Sequence, residues 1–321
     1  LFRSSYSITV ASAIPAGTTG GAAVSAAYQI NVGAATSVPL VGWGAGAWGA
    51  GTWGTGGTTL SPIRLWSQGN FGEDLIFGPR GGEIYYWDAT AGVSARGVAL
   101  SSLLGASDVP TIQNFIFISD INRFVFAMGC NDYGSAVQDP MLIRWSDQED
   151  AVNWTPAATN QAGSLRLSHG SEIVTAVQTR QEIVVFTDSS LYSLQYLEPP
   201  IVWGAQLLGD NISIVGQNAA TIASGIVYWM GVDKFYAYDG RVQTLPCDLR
   251  RYIFTDFNAG QAAQVFASTN EGFNEVWWFY CSANSTTVDR YVVYNYLERI
   301  WYYGTMARTA WLDSGLRDYP I

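Results

Sequence analysis

Residues 225–240 read GIVYWMGVDKFYAYDG. Two runs in it, 226–230 and 235–238, are β-branched and aromatic, with Gly231, Val232 and Asp233 between them. Such side chains suit a pleated, partly buried surface, and a short connection containing Gly and Asp folds two of these runs into a β-hairpin. No apolar stripe recurs every 3.6 residues, so a helix is the poorer reading.

The pattern recurs along the chain. LIFGPRGGEIYYWD (75–88) and EIVVFTDSSLYSLQ (182–195) are hairpins of the same kind. RFVFAM (123–128) pairs with 141–145 after a longer insertion, and EVWWFYC (275–281) pairs with RYVVY (290–294). Aligning the aromatic or Leu residue near the end of each second strand superposes Trp87, Trp145, Leu194, Tyr238 and Tyr294. This degenerate, all-strand period of roughly 50 residues is in the range of propeller blades. The chain therefore reads as an all-β protein, a β-propeller of about six four-stranded blades, five of them visible.

Each visible blade resolves into four strands. They are 63–67, 75–78, 84–88 and 95–98 in the first, and 112–118, 123–128, 141–146 and 164–167 in the second. The third has 173–178, 182–187, 191–196 and 203–208, and the fourth 220–222, 226–230, 235–239 and 242–245. The fifth has 263–268, 275–281, 290–296 and 300–303. Residues 309–312 begin a sixth, and strands at 5–13 and 26–32 are expected to complete it, because an open seam leaves unpaired strand edges. Residues 60–321 thus form the propeller, and residues 1–59 form N-terminal strands and an arm that partly closes it. Helix signals are confined to 101–104 and to 248–254, with Asp248 as the expected N-cap of the second.

The arm carries GWGAGAWGAGTWGTGG (42–57), with Trp43, Trp48 and Trp53 five residues apart. Odd spacing puts successive side chains on opposite faces of an extended chain, and so much Gly makes a regular strand costly unless something packs on it. The three Trp rings either plug grooves of their own subunit or anchor the arm on another copy, Trp being typical of interface centres. They are the candidate subunit-interface residues.

Composition narrows the function. Of 321 residues, 48% are hydrophobic and only 13% charged, which suits a subunit with partner-covered surface. The net charge of −10, from 26 acidic and 16 basic side chains, disfavours a protein that grips nucleic acid. An acidic conduit through which DNA slides stays open as a role, since it repels phosphate. Cys130, Cys247 and Cys281 are far apart and lack metal-site spacing, so they read as reduced core thiols. No apolar run is long enough for a membrane span, residues 1–17 do not read as a signal peptide, and a start at Leu1 suggests a processed or longer chain.

Catalytic chemistry is not legible. His169, the single histidine, sits in LSHGS without a nucleophile elbow and reads as a turn residue. Asp147, Glu149 and Asp150 crowd into RWSDQEDAVNWTP (144–156) but lack the order of a calcium loop, so they read as an acidic loop at a blade edge. No metal site, cofactor or enzymatic activity is expected.

Three phrases carry a resemblance: RLWSQGNFGEDLIFGPRGGEIYYWD (64–88), RWSDQEDAVNWTP (144–156) and YWMGVDKFYAYDGRVQTLPCDLR (228–250). Together with the Trp/Gly arm they resemble the packaged-DNA stabilisation, or tail nozzle, proteins of short-tailed bacteriophages, over about residues 26–312. The resemblance implies a structural virion protein of the tail, built on a β-propeller and assembled in the host bacterial cytoplasm. It further implies a homohexameric ring beneath the portal and adaptor that continues or closes the DNA channel and retains packaged DNA. The chain is shorter than family members that carry added tip or platform domains, so the resemblance does not extend to fibre attachment or host contact. RWSDQEDAVNWTP also resembles the Asp-box hairpins of sialidase-like propellers, without the Gly and Thr of that box. That likeness does not license an enzyme reading. The alternative function, which several Trp residues grouped at one propeller face would favour, is a carbohydrate-binding or glycan-processing propeller.

Overall fold

The middle strands of each repeat are apolar at consecutive rather than alternate positions, and the computed structural model explains why. It describes residues 63–313, together with Thr36 and Pro320. Five four-stranded antiparallel sheets follow one another along the chain, each a simple meander. The first holds β1 (Trp66–Phe71), β2 (Asp74–Pro79), β3 (Tyr85–Trp87) and β4 (Val98–Ala99). The second holds β5 (Phe115–Ser119), β6 (Phe124–Met128), β7 (Leu142–Trp145) and β8 (Gly163–Arg166). The third holds β9 (Ile173–Gln178), β10 (Ile183–Thr187), β11 (Ser190–Tyr196) and β12 (Trp203–Asp210). The fourth holds β13 (Ala220–Ala223), β14 (Ile226–Met230), β15 (Phe235–Tyr238) and β16 (Val242–Leu245). The fifth holds β17 (Phe266–Asn270), β18 (Glu275–Tyr280), β19 (Arg290–Asn295) and β20 (Ile300–Thr305).

The first strands of successive sheets lie side by side, β1 against β5, β5 against β9, β9 against β13 and β13 against β17. The sheets are therefore blades of a β-propeller. A blade held between two others buries both faces of its middle strands, so β6, β10 and β15 are buried at every position. Outer strands β8, β16 and β20 keep alternating or exposed positions. Gln217, just before β13, donates to the Trp66 carbonyl at 3.1 Å and links the fourth blade to the first near the hub.

Aromatic rings hold the blades together. Phe126 of β6 meets Trp203 of β12 edge-on at 5.0 Å, and Phe186 of β10 meets Trp229 of β14 edge-on at 5.1 Å. Trp229 also stacks on Tyr236 at 5.1 Å, while Phe235 lies 4.9 Å from Trp278 of the fifth blade. A buried Trp of this kind removes some 150–250 Å² from water, about 4–6 kcal/mol of transfer free energy at 25 cal/mol per Å².

The twenty strands expected of the five visible blades are all present, with bounds shifted by a few residues. β1 starts at Trp66 and runs to a tight turn at Gly72, in register from Trp66↔Pro79 to Phe71↔Asp74. The expected strand at 263–268 gives up its first half to a 3₁₀ turn, Ala259–Gln264, in which the Asn258 carbonyl oxygen of the side chain accepts from the Gly260 amide. The β13–β14 turn is Ser224–Gly225, with φ of 50° and 80°, the left-handed pair that a type I′ hairpin needs.

Two expectations are corrected. The helix α1 spans Arg250–Asp256 with Leu249 at the N-cap and no side-chain cap, so Asp248 does not fill that role. At the other helix signal a 3₁₀ turn covers Leu100–Ser102. Residues 309–312 form no strand. Trp311 instead stacks on Trp277 at 5.1 Å and donates to the Thr269 carbonyl, while Asp313 accepts from the Glu271 amide. This segment covers the face of the fifth blade turned away from the fourth, so it does not begin a sixth blade. The expected strands at 5–13 and 26–32 and the arm at 42–57 lie outside the described residues.

Candidate functional site

In a four-stranded meander the first and third turns lie at one end and the second turn at the other, giving the propeller two unlike faces. At the second-turn end charges are paired. Arg80–Glu172, Arg144–Asp108, Arg166–Asp139, Arg250–Asp233 and Arg290–Asp256 are the ion pairs among the described residues, and all five lie there. Arg144 is fully buried; it donates to the carbonyls of Asn131 and Asp108, at 3.1 and 2.6 Å, and sits 4.0 Å over the Tyr133 ring.

The first-and-third-turn face differs. Exposed arginines Arg96, Arg123, Arg180, Arg241 and Arg299 make no ion pair among the described residues, and exposed Glu73, Asp120, Glu149, Glu198, Glu271 and Glu298 share that face with them. Apolar side chains stand at the turn tips: Val93, Ile121, Leu197, Ile201, Phe273 and Leu297 are all more than half exposed. They come from four of the five blades.

Between the fourth and fifth blades this face opens into a groove of about 340 Å³. Tyr228 of β14, Tyr294 of β19 and Tyr296 just beyond it project into the groove, with Asp239, Gln243 and Arg299 around them. Tyr228 lies 6.1 Å from Tyr296 in a stacked arrangement and 6.1 Å from Tyr294 in a tilted one. Tyr294 rests in turn on Trp301 at 4.6 Å. Tyr228 and Tyr294 are 4% and 7% exposed. Burial, then the neighbouring Tyr294, Tyr296 and Asp239, push the Tyr228 phenol up to about 12, so its hydroxyl stays protonated at neutral pH. The Asp239 carboxylate is oriented by the Gln243 amide at 2.9 Å and the Arg241 backbone amide at 3.3 Å. Arg299 is presented by a residue with φ of 58°, its backbone amide tied to the Asn295 carbonyl.

Three less exposed carboxylates at this end are already held. Asp74 accepts from the Tyr86 hydroxyl, Glu182 from those of Ser193 and Tyr238, and Glu275 from that of Tyr302. Desolvation and the Asp74 contact raise the Tyr86 phenol to about 12.

The acidic loop is a braced turn. Asp147 accepts from the amides of Gln148 and Gln161, both at 2.8 Å, and Asp150 accepts from the Val152 amide at 3.0 Å. Glu149 sits at φ 60° with its amide on the Arg123 carbonyl, its side chain exposed. No group of three His, Cys, Asp or Glu side chains among the described residues is arranged to hold a metal ion. His169 is an exposed residue between β8 and β9; its amide donates to the Tyr192 hydroxyl and its Nδ1 lies 2.9 Å from Ser168 Oγ. Among the described residues no carboxylate contacts the ring, and the residue lies in the β8–β9 connection. Cys130, Cys247 and Cys281 are free thiols. Trp43, Trp48 and Trp53 lie outside the described residues. The tyrosine groove is not legible in the sequence, although Tyr238 and Tyr294 mark the repeat; nothing in residue order tells which tyrosines face a gap between blades.

No family model and no curated protein matches this chain. Solved structures are similar at low identity. The extracellular domain of a one-component system from B. thetaiotaomicron is 10% identical, with a TM-score of 0.44 over 74% of this chain and 27% of that one. Hsv2 of Kluyveromyces lactis is 10% identical, with a TM-score of 0.41 over 75% of this chain and 62% of that one. The CNH domain of AfRom2 is 12% identical, with a TM-score of 0.41 over 78% and 75%. The chain thus spans about a quarter of the first and under two thirds of the second. At these scores none of them carries an argument about what this chain does.

Proposed function

We propose that the chain is a structural, non-catalytic propeller subunit of a phage tail nozzle, joining copies of itself into a six-fold ring around a DNA channel. The observation that carries this reading is the first-and-third-turn face. Six large apolar side chains at turn tips, beside arginines that make no ion pair among the described residues, are what a surface covered by another protein carries. The phrases resembling nozzle proteins supply the identity of that assembly, in which the portal and adaptor above the ring are the neighbouring proteins. A net charge of −10 suits a wall that lets double-stranded DNA pass without holding it. In this reading the arm bearing Trp43, Trp48 and Trp53 docks on the next copy.

Native mass measurement and negative-stain electron microscopy of the full chain test the proposal. Rings with a central hole are expected for the unmodified chain, and folded monomers for the Trp43→Ala, Trp48→Ala, Trp53→Ala triple variant. A strict monomer that never forms rings would refute assembly. A triple variant that unfolds without changing its oligomeric state would place the three Trp residues in their own subunit. The glycan reading attaches to a different feature, the tyrosine groove, and is compatible with assembly.

A further inference from the structure

We propose that the groove between the fourth and fifth blades binds one neutral hexose-type residue of a glycan, with Tyr228, Tyr296, Asp239 and Arg299 as its contacts. The first reason is a set of unmet polar groups. The hydroxyls of Tyr228, Tyr294 and Tyr296 make no hydrogen bond within the described residues, although two of these side chains are more than nine-tenths buried. The rings are covered, but their three oxygens are not among the sealed, unpartnered polar atoms of the described residues. They open on the groove, where a sugar hydroxyl can replace the water that otherwise meets them.

The second reason is the mixture of surfaces. A pyranose ring offers an apolar C–H face and a rim of hydroxyls that both donate and accept. Aromatic rings meet the first, while a carboxylate, an amide and a guanidinium meet the second. The groove has all of these within about 340 Å³, near the lower end of small-molecule sites. Volume alone thus favours one or two sugar rings over a long oligosaccharide.

The third reason is charge. Asp239 and Arg299 are opposite in sign and both line the groove, so it offers no net attraction to an anion or a cation. Because the Tyr228 hydroxyl keeps its proton at neutral pH, it can donate to a sugar oxygen and accept from a sugar hydroxyl.

Saturation-transfer NMR on the full chain tests the site, using the methyl glycosides of glucose, galactose, mannose and N-acetylglucosamine as probes. At least one should bind. Tyr228→Phe, which removes a single oxygen and keeps the ring, should weaken that probe about tenfold, the effect of one hydrogen bond. Arg299→Ala, in an exposed turn, should weaken it similarly, which keeps the test decisive should Tyr228→Phe fold poorly. Tyr303→Ala, an exposed aromatic outside the groove, should leave binding unchanged.

Absence of binding by every probe would overturn the proposal. So would equal binding by the unmodified chain and both groove variants, an equal loss in Tyr303→Ala, or displacement of the sugar by equimolar inorganic phosphate. Each chain carries one groove whether it is a monomer or part of a ring. Failure here would therefore leave the assembly proposal standing, and failure of assembly would leave this one.

Discussion

Arg144 should be the costliest single side chain to remove from the second blade. It is fully buried, its guanidinium donates to two main-chain carbonyls, and it reaches the Asp108 carboxylate at 3.2 Å. Asp108 is itself in the left-handed region, with φ of 47°, so Arg144 helps hold a strained connection between β4 and β5. Arg144→Met keeps much of the volume and removes the buried charge, but it orphans the carbonyls of Asn131 and Asp108. Each orphaned buried acceptor costs about 1–3 kcal/mol, and breaking a buried ion pair on one side costs about 3–5 kcal/mol in all. Removing the charge's own desolvation offsets part of this, so a net loss of about 3 kcal/mol is expected. Asp108→Asn is different. Its carboxylate is one-third exposed and the backbone carbonyl contact survives, so about 1 kcal/mol or less is expected. Arg144→Lys should fall between them, because an ammonium on a flexible stem cannot reproduce the planar fork. Urea unfolding followed by circular dichroism reads the order directly from the midpoints. Equal losses for Arg144→Met and Asp108→Asn would show that the ion pair, not the carbonyl clamp, dominates, and a neutral Arg144→Met would refute the reasoning altogether.

Trp229→Ala, which empties the contact among Phe186, Tyr236 and the fourth blade, should cost about 3–5 kcal/mol in the same assay, with Trp229→Phe losing less. Acid should destabilise the propeller through Asp188 and Asp139. Burial opposes ionisation of both, but Ser171 and backbone amides hold Asp188 low, and Arg166 with the Met141 amide holds Asp139 low. Their folded values lie below the unfolded ones, so the stability they contribute is complete above about pH 4 and falls away as pH drops through the depressed values. Asp188→Asn should flatten the acid limb of a stability-against-pH curve, and an unchanged limb would count against the assignment. Burial pushes Cys130 up to about 12 and Cys247 and Cys281 up to about 11, so none should react with a thiol reagent at pH 8 until the chain unfolds. Fast labelling of the native chain would refute this.

The strands and their grouping into blades follow from residue order. Runs such as FVFAM and IVYWM are apolar at consecutive positions because both faces of a middle strand are covered, and Gly or Asp between them sets local hairpins. Those signals are short-range, and residue order carries them. Trp145 and Trp154, within RWSDQEDAVNWTP, likewise became buried residues of the second blade. What lies between blades was not legible. Tyr228 and Tyr294 are 66 positions apart, and their meeting depends on how two separate sheets pack. The fate of residues 309–312 was decided in the same way. Their β-favouring composition fits a strand, but the uncovered ring faces of Trp277 and Phe279 take up Trp311, and the segment lies on a finished blade instead of starting another. Asp147 and Asp150 show the same division. Their crowding was visible in the sequence, while the amides that occupy them come partly from Gln161, brought near only when β8 folds back on β7. Local periodicity follows from the residues alone, whereas contacts across a blade interface depend on tertiary packing.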